Sequence, residues 1–232
     1  QMCIRDRSYT DPDGTFFDYG DKRDDDYLIS STPMVYDIAA IQHLYGAASH
    51  NDGNTTYSYD PAQPFVEAIW DSGGYDTLDL SNFIKACTIN LTPGEYSTIV
   101  CTDWSMTDNL GIAFGTTIEK VIGGSGNDSM IGNSADNVLY GGKGNDTLTG
   151  GLGADEFSFY LGDGSDIITD FDSAVDTILF LDADKNRLSL TEGVNSNGEV
   201  QYSVSDGTSV TLQGIFGLTS YSVPTYGIDI IH

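Results

Sequence analysis

An all-β chain built around a parallel β-roll, flanked by antiparallel β-strands and opened by one N-terminal helix, is the fold class this sequence predicts. Three observations carry that expectation. Glycine- and aspartate-rich nonapeptides begin at Gly123 and read GGSGNDSMI, GNSADNVLY, GGKGNDTLT and GGLGADEFS, opening at residues 123, 132, 141 and 150. A fixed short period marks a stacked repeat and argues against a flexible acidic linker. Position 8 of each unit is a large apolar residue (Met130, Leu139, Leu148, Phe157) within a three-residue run that fits a half-buried strand. On either side, runs rich in Thr, Val, Ile and Tyr alternate with turn residues, as in all-β chains.

Residues 1–7, QMCIRDR, show no periodicity and do not lead naturally into the next segment; they resemble an assembly artefact and are set aside. Residues 8–32 are polar and irregular, with the acidic cluster DKRDDD at 21–26. A helix is expected over 33–46, with Thr32 as N-cap, Pro33 in the first helical position and Gly46 as the stop. Its apolar face would comprise Met34, Ile38, Ile41, Leu44 and Tyr45, with His43 beside it as a packed or solvated side chain. Residues 47–120 read as strands in NTTYSYD, FVEAIWD, DTLDLSNF, CTINLTP and NLGIAFGTTIEKVIGG. The roll is placed at 121–182. Over 183–232, RLSLTEG, VQYSVS, SVTLQGIF and YGIDIIH are expected to cap the open edge, which would otherwise pair with other chains.

The repeat chemistry can be built from its residues. Glycines at positions 1, 2 and 4 allow a tight turn with φ > 0. The aspartate at position 6 (Asp128, Asp146, Asp155) ends the turn with a hard carboxylate. One turn plus one strand is half a coil, so turns on one side recur every 18 residues, stacked at the ~4.8 Å spacing of strands. Calcium–oxygen bonds of about 2.3–2.6 Å let an ion sit between stacked turns. Asp128 is therefore expected to share an ion with the turn holding Asp146, and Asp155 to pair with the turn at 132–137. In that second unit Asn133 and Ala135 replace glycines and Asn137 replaces the aspartate. A weaker ion is expected there.

Composition narrows the rest. A formal charge of −26, from 35 acidic and 9 basic residues, repels nucleic acid and anionic membranes and calls for bound cations. No apolar run reaches the length of a membrane span, so no membrane insertion is expected. Three cysteines make no disulfide framework. Cys3 lies in the excluded segment; Cys87 and Cys101 lie in expected neighbouring strands, where free thiols are preferred over a bridge.

The order PMVYDIAAIQHLYG, GNTTY, WDSGGYDTLDLS, GTTIEKVIGGSGND and GNSADNVLYGGKGNDTL resembles the C-terminal region of serralysins, secreted bacterial zinc metalloproteases with a C-terminal RTX β-roll. The likeness runs from about 33 to 182. It implies upstream calcium ligands at Asn51, Gly53 and Thr55 facing Asp71, Gly73 and Asp76. A second ion would lie between Gly74, Asp76, Thr117 and Glu119. Two carboxylates five residues apart around Gly-Gly also make a plausible oxygen-ligand loop without the resemblance. In the roll the resemblance adds the carbonyls of Gly124 and Gly126 with Gly141 and Lys143, then Gly142 and Gly144, then Gly150 and Leu152. Asp163, Asp166, Asp170 and Asp176 resemble the family's later acidic positions.

The catalytic motif of that family, H-E-x-x-H-x-x-G-x-x-H, does not occur; the histidines are His43, His50 and His232. Ser8-Tyr9 resembles the end of the family's Met-turn, which would make Tyr9 an orphaned zinc ligand and residues 8–32 a catalytic-domain remnant. The resemblance therefore implies a C-terminal part of a longer protease, inactive alone, with zinc only in the intact parent. It implies secretion through a type I channel, calcium-driven folding outside the cell, and partnership with the missing N-terminal protease domain. A monomer is expected. Asp229-Ile230-Ile231 fits an export signal, though His232 is not apolar; an ordinary last strand is the alternative. A non-enzymatic RTX adhesin or surface-layer module is the competing function, opposed by the helix before the roll. A lipase fused to an RTX tail is opposed by the lack of G-x-S-x-G.

Overall fold

The computed structural model describes residues 30–216. Its first element, α1 (Val35–Tyr45), is the only α-helix among them. Sixteen short strands come after it: β1 (Thr56–Ser58), β2 (Glu67–Ile69), β3 (Thr77–Asp79), β4 (Thr88–Asn90), β5 (Tyr96–Ser97), β6 (Leu110–Ile112), β7 (Lys120–Ile122), β8 (Ser129–Ile131), β9 (Val138–Tyr140), β10 (Thr147–Thr149), β11 (Glu156–Tyr160), β12 (Ser165–Ile168), β13 (Thr177–Leu181), β14 (Thr191–Val194), β15 (Glu199–Ser203) and β16 (Ser209–Phe216).

From β7 to β13 the chain alternates between two sheets, one strand at a time. One sheet has the order β1-β3-β7-β9-β11-β13 and the other β14-β15-β16-β12-β10-β8-β4. Stacked strands are parallel, and the repeat sets their register: Lys120 pairs with Val138, and Val138 with Glu156, each 18 residues on. Ser129 pairs likewise with Thr147. This is the expected coil. Past the repeats the coils lengthen, Thr147 pairing with Ile167 and Glu156 with Thr177.

The three-residue strands β3, β4 and β7 to β10 each bury only the middle side chain, so each of these two sheets contributes one apolar ladder. Leu78, Val121, Leu139, Phe157 and Ile178 line one sheet, and Ile89, Met130, Leu148, Ile168 and Leu212 the other, all in one buried core. Burying each such side chain stabilises by about 1.5–3 kcal/mol. That is a thin core for so long a chain of ordered turns.

The expected boundary at residue 121 is not an architectural break. β1 and β3 stack in parallel on β7, and β4 stacks on β8. Coiling begins upstream of the nonapeptides, through turns with no fixed period. A small third sheet, β2-β6-β5, sits beside these coils; its two-residue strand β5 was not foreseen. At the other end β15 is antiparallel to both β14 and β16, while β16 lies parallel to β12 and covers that edge.

The helix differs from expectation at its start. Thr32 is not the N-cap, because its hydroxyl is taken by tertiary structure, accepting from Ala68 N at 2.8 Å. Met34 caps instead, its N–H donating to the Asp37 carboxylate at 3.3 Å. The expected apolar face is only partly buried. Met34 is buried and Ile38 half-buried, whereas Ile41, Leu44 and Tyr45 are exposed; Val35, outside the expected face, is buried instead. The helix meets the third sheet through its first turn, where Val35 packs against Gly111.

Cys87 and Cys101 are buried free thiols, as preferred from sequence. No helix among the described residues is long and apolar enough to cross a membrane. Cys3, Tyr9, the 21–26 cluster and the Asp229–His232 end lie outside the described residues.

Candidate metal sites

The third and fourth nonapeptide turns are held by glycines with positive φ. Gly142 has φ +93° and Gly144 φ +125°. A Cβ on either would lie 2.1 Å from the carbonyl oxygen of Gly124 or Gly126 in the turn stacked above. The reverse approach also occurs, since a Cβ on Gly123 would meet Gly141 O at 2.1 Å. Glycine is needed because carbonyl oxygens of two layers close on the space a side chain would fill.

The position-6 aspartates form a ladder through the stack. Cys87 N donates to Asp128 Oδ1 at 2.8 Å, Asp128 N to Asp146 Oδ1 at 2.7 Å, and Asp146 N to Asp166 Oδ1 at 2.8 Å. On the other side Asn137 N donates to Asp155 Oδ1 at 2.8 Å and Asp155 N to Asp176 Oδ1 at 3.0 Å. Each carboxylate thus ties its own turn to the turn before it.

The second oxygens differ from layer to layer. Asp128 Oδ2 accepts from Gly124 N at 3.1 Å. Asp76 Oδ2, Asp146 Oδ2 and Asp166 Oδ2 are buried with no hydrogen-bond partner. Leaving a buried charged oxygen unpaired is costly, and the titration behaviour reflects it. Burial, with neighbouring carboxylates adding to it, pushes Asp146 up to about 7; burial and the charge of Asp163 push Asp166 up to about 7. Burial raises Asp155 and Asp163 to about 6 and lifts Asp76 and Asp128 above the ordinary range.

Orphaned carboxylate oxygens, in turns whose backbone carbonyls approach the neighbouring turn closely, are a hard, all-oxygen donor set. Calcium takes six to eight such oxygens at 2.3–2.6 Å. No group of three or more His, Cys, Asp or Glu side chains converges among the described residues, so an ion would draw most of its ligands from backbone carbonyls. The residues that fit are Gly124, Gly126, Asp128, Gly141, Lys143 and Asp146 between one pair of turns. Lys143 and Leu152 are exposed as side chains, which suits residues named for their carbonyls.

Upstream, Asp71 and Asp76 are both buried. Asp71 Oδ1 accepts from Gly73 N at 3.0 Å and Oδ2 from Tyr57 OH at 2.6 Å. Asp76 Oδ1 accepts from Thr55 N at 2.8 Å, while Asp76 N donates to Glu119 Oε2 at 2.7 Å. Gly53 O lies where a Cβ on Gly74 would be, 2.6 Å away. Thr55, Gly74, Asp76 and Glu119 are thereby brought together, with Gly53. Asn51 bonds to Tyr57 OH at 3.1 Å instead of to a turn, and Thr117 is exposed.

Among the later acids, Asp170 is exposed yet accepts from Gly150 N and Gly151 N, both at 2.9 Å. Asp176 Oδ2 accepts from Asp172 N at 2.8 Å, and Asp163 Oδ1 from Tyr140 OH at 3.3 Å. Three contributors were missed from sequence. Tyr57 fixes Asp71, and burial with the Asp71 hydrogen bond pushes its phenol up to about 12. Thr116 accepts from Asp71 N at 3.0 Å. Position 5 of the repeat builds an outer ladder, Asn145 N donating to Asn127 Oδ1 at 3.0 Å and Ser165 N to Asn145 Oδ1 at 2.9 Å. Only this last was readable, as asparagine recurring 18 residues apart.

A family model described as Peptidase M10 serralysin C terminal matches residues 35–213. The chain is 40% identical over 109 residues to Serralysin C of Dickeya chrysanthemi, covering 41% of this chain and 22% of that protein. It is 39% identical over 112 residues to Metallopeptidase AprA of Pseudomonas marginalis, 43% of this chain and 23% of that protein. It is 38% identical over 114 residues to a serralysin of Photorhabdus sp. (strain Az29), 44% of this chain and 23% of that protein. The similarity thus spans under a quarter of each relative's length. With the family model matching most of the sequence and the fold a parallel roll, the chain belongs to the serralysin C-terminal family of the M10 peptidases.

Proposed function

We propose that this chain is the calcium-binding C-terminal part of a secreted, serralysin-like zinc metalloprotease, and that calcium outside the cell drives its folding. The observation that carries the reading is the set of buried, unpartnered oxygens on Asp76, Asp146 and Asp166 in the stacked turns. Without a cation those layers hold negative charge against neighbouring charge. Like charges ~4 Å apart in a partly screened site repel by about 4 kcal/mol. Ordering the backbone costs a further 1–2 kcal/mol or so per residue. One apolar side chain per strand does not offset both. A divalent cation reverses the electrostatic sign and joins successive turns.

Affinities like those of extracellular modules, about 10⁻⁴–10⁻³ M, would leave the roll unfolded in a cytosol and fold it after export. A type I channel, which passes unfolded chains, suits that order of events. The folded roll would then support the protease domain, which supplies the zinc site and the cleavage of protein substrates. A calcium titration followed by circular dichroism tests the reading. Strand signal should appear sigmoidally, and Asp146→Ala should raise the midpoint more than Asp136→Ala, whose carboxylate only accepts from Ala154 N. Strand signal that ignores calcium, or equal shifts for the two variants, would refute it.

A further inference from the structure

We infer that the gap between the turn ending at Glu119 and the turn at 132–137 is a metal-free seam, in which two asparagine amides do the work of a calcium ion. The inference rests on the calcium reading above, since it identifies the gap where the donor set rejects the ion. A regular stack would place one ion in each gap between successive turns. Here the carbonyls that would face it are already occupied. Ile118 O accepts from Asn133 Nδ2 at 2.8 Å and from Asn137 Nδ2 at 3.1 Å. Glu119 O accepts from Asn137 Nδ2 at 3.2 Å and from Val138 N at 2.8 Å. A carbonyl oxygen has two lone pairs, so both oxygens are saturated.

The amide oxygens are also committed. Asn137 Oδ1 accepts from Asn133 N at 2.8 Å, and Asn133 Oδ1 from Ala135 N at 2.8 Å. This network fixes the orientation of both amides, because a flipped amide would set oxygen against carbonyl oxygen. Both side chains are buried, and no oxygen of theirs is left unpaired, in contrast to Asp76, Asp146 and Asp166. The two departures from the repeat therefore belong together. Asn137 removes the carboxylate, and Asn133 brings a second amide where the repeat has glycine. A neutral layer that needs no cation results, joining β7 to β9. The gap below, toward Asp155, keeps the carbonyls of Asn133 and Ala135 against Gly151 and Gly153 and is not part of the seam.

Anomalous diffraction from crystals of the whole chain grown in saturating calcium decides the matter. The expected result is a peak between the 123–128 and 141–146 turns and none within bonding distance of Ile118 O. A peak at Ile118 O would overturn the seam. No peak anywhere would overturn the calcium reading and the seam with it. Asn137→Asp adds an independent arm: a carboxylate facing two carbonyls calls for a cation, so equilibrium dialysis with calcium should count one more ion per chain than wild type. An unchanged count in a variant that folds in calcium would also overturn the inference. If the variant does not fold, the wild-type diffraction still decides.

Discussion

Asp146→Asn should stabilise the roll in chelator and destabilise it in calcium. The side chain is fully buried, with Oδ1 accepting from Asp128 N at 2.7 Å and Oδ2 unpartnered. An asparagine keeps the first bond and removes the charge. The magnitude comes from the carboxyl itself, raised from 3.8 to about 7 chiefly by burial. At ~1.36 kcal/mol per unit, holding it ionised in the folded apo roll costs about 4 kcal/mol above pH 7. Relief of roughly 2–4 kcal/mol in chelator is expected, since the new amide N–H also needs partners. In saturating calcium the variant has lost a charged ligand and should unfold at lower urea than wild type. The pH dependence has a fixed sign. A carboxyl with a raised folded pKa favours folding of the protonated form, so the contribution of Asp146 to apo stability is fully present below about pH 4. That advantage is lost as pH rises through about 7, a loss Asp146→Asn should not show at this site. The strand signal remaining in chelator at pH 5 and 8, and urea titrations in calcium at the same pH values, both read by circular dichroism, measure all of this. Equal destabilisation of the variant in both media would refute the charge argument.

Further outcomes are expected. Gly142→Ala places a Cβ 2.1 Å from Gly124 O at φ +93°; the left-handed conformation alone costs about 1–2 kcal/mol, so thermal unfolding should shift down, whereas Gly193→Ala, with open space around it, should leave it nearly unchanged. The Cys87 thiol, which burial pushes up to about 11, should react slowly with a thiol reagent in calcium and much faster in chelator. Equal rates would mean that the coil around it does not depend on the ion. The purified chain, which has no HExxH motif, should not cleave casein with zinc and calcium present. Cleavage abolished by a zinc chelator in contaminant-free protein would contradict this.

Periodicity made the middle of the molecule legible. Met130, Leu139, Leu148 and Phe157 recur at position 8, and all are fully buried on the expected coil. Upstream the same coil is hidden, because Thr77 stacks on Lys120 across a long connection that includes two of the three strands of the third sheet. The helix start was misplaced because Thr32, a good local cap, is claimed by Ala68, 36 residues away. Position-6 aspartates could be read as candidate ligands from type and spacing alone, and the fold buries Asp128, Asp146 and Asp155 in stacked turns. Tyr57 and Thr116 could not, since each reaches Asp71 only through the folded chain. Asn137 was legible as a departure from the repeat, but its role needed the carbonyls of Ile118 and Glu119, which no spacing rule brings to it.

Hydrogen exchange at the amides of Asp128, Asp146 and Thr147 tests calcium-driven folding most directly. These N–H groups donate to Asp146 Oδ1, Asp166 Oδ1 and Asp128 O at 2.7, 2.8 and 2.9 Å, so they report the stacking of successive turns. In saturating calcium all three should be strongly protected, and in excess chelator at pH 8 they should lose protection together. Protection that persists unchanged in chelator would contradict the claim that calcium folds the roll.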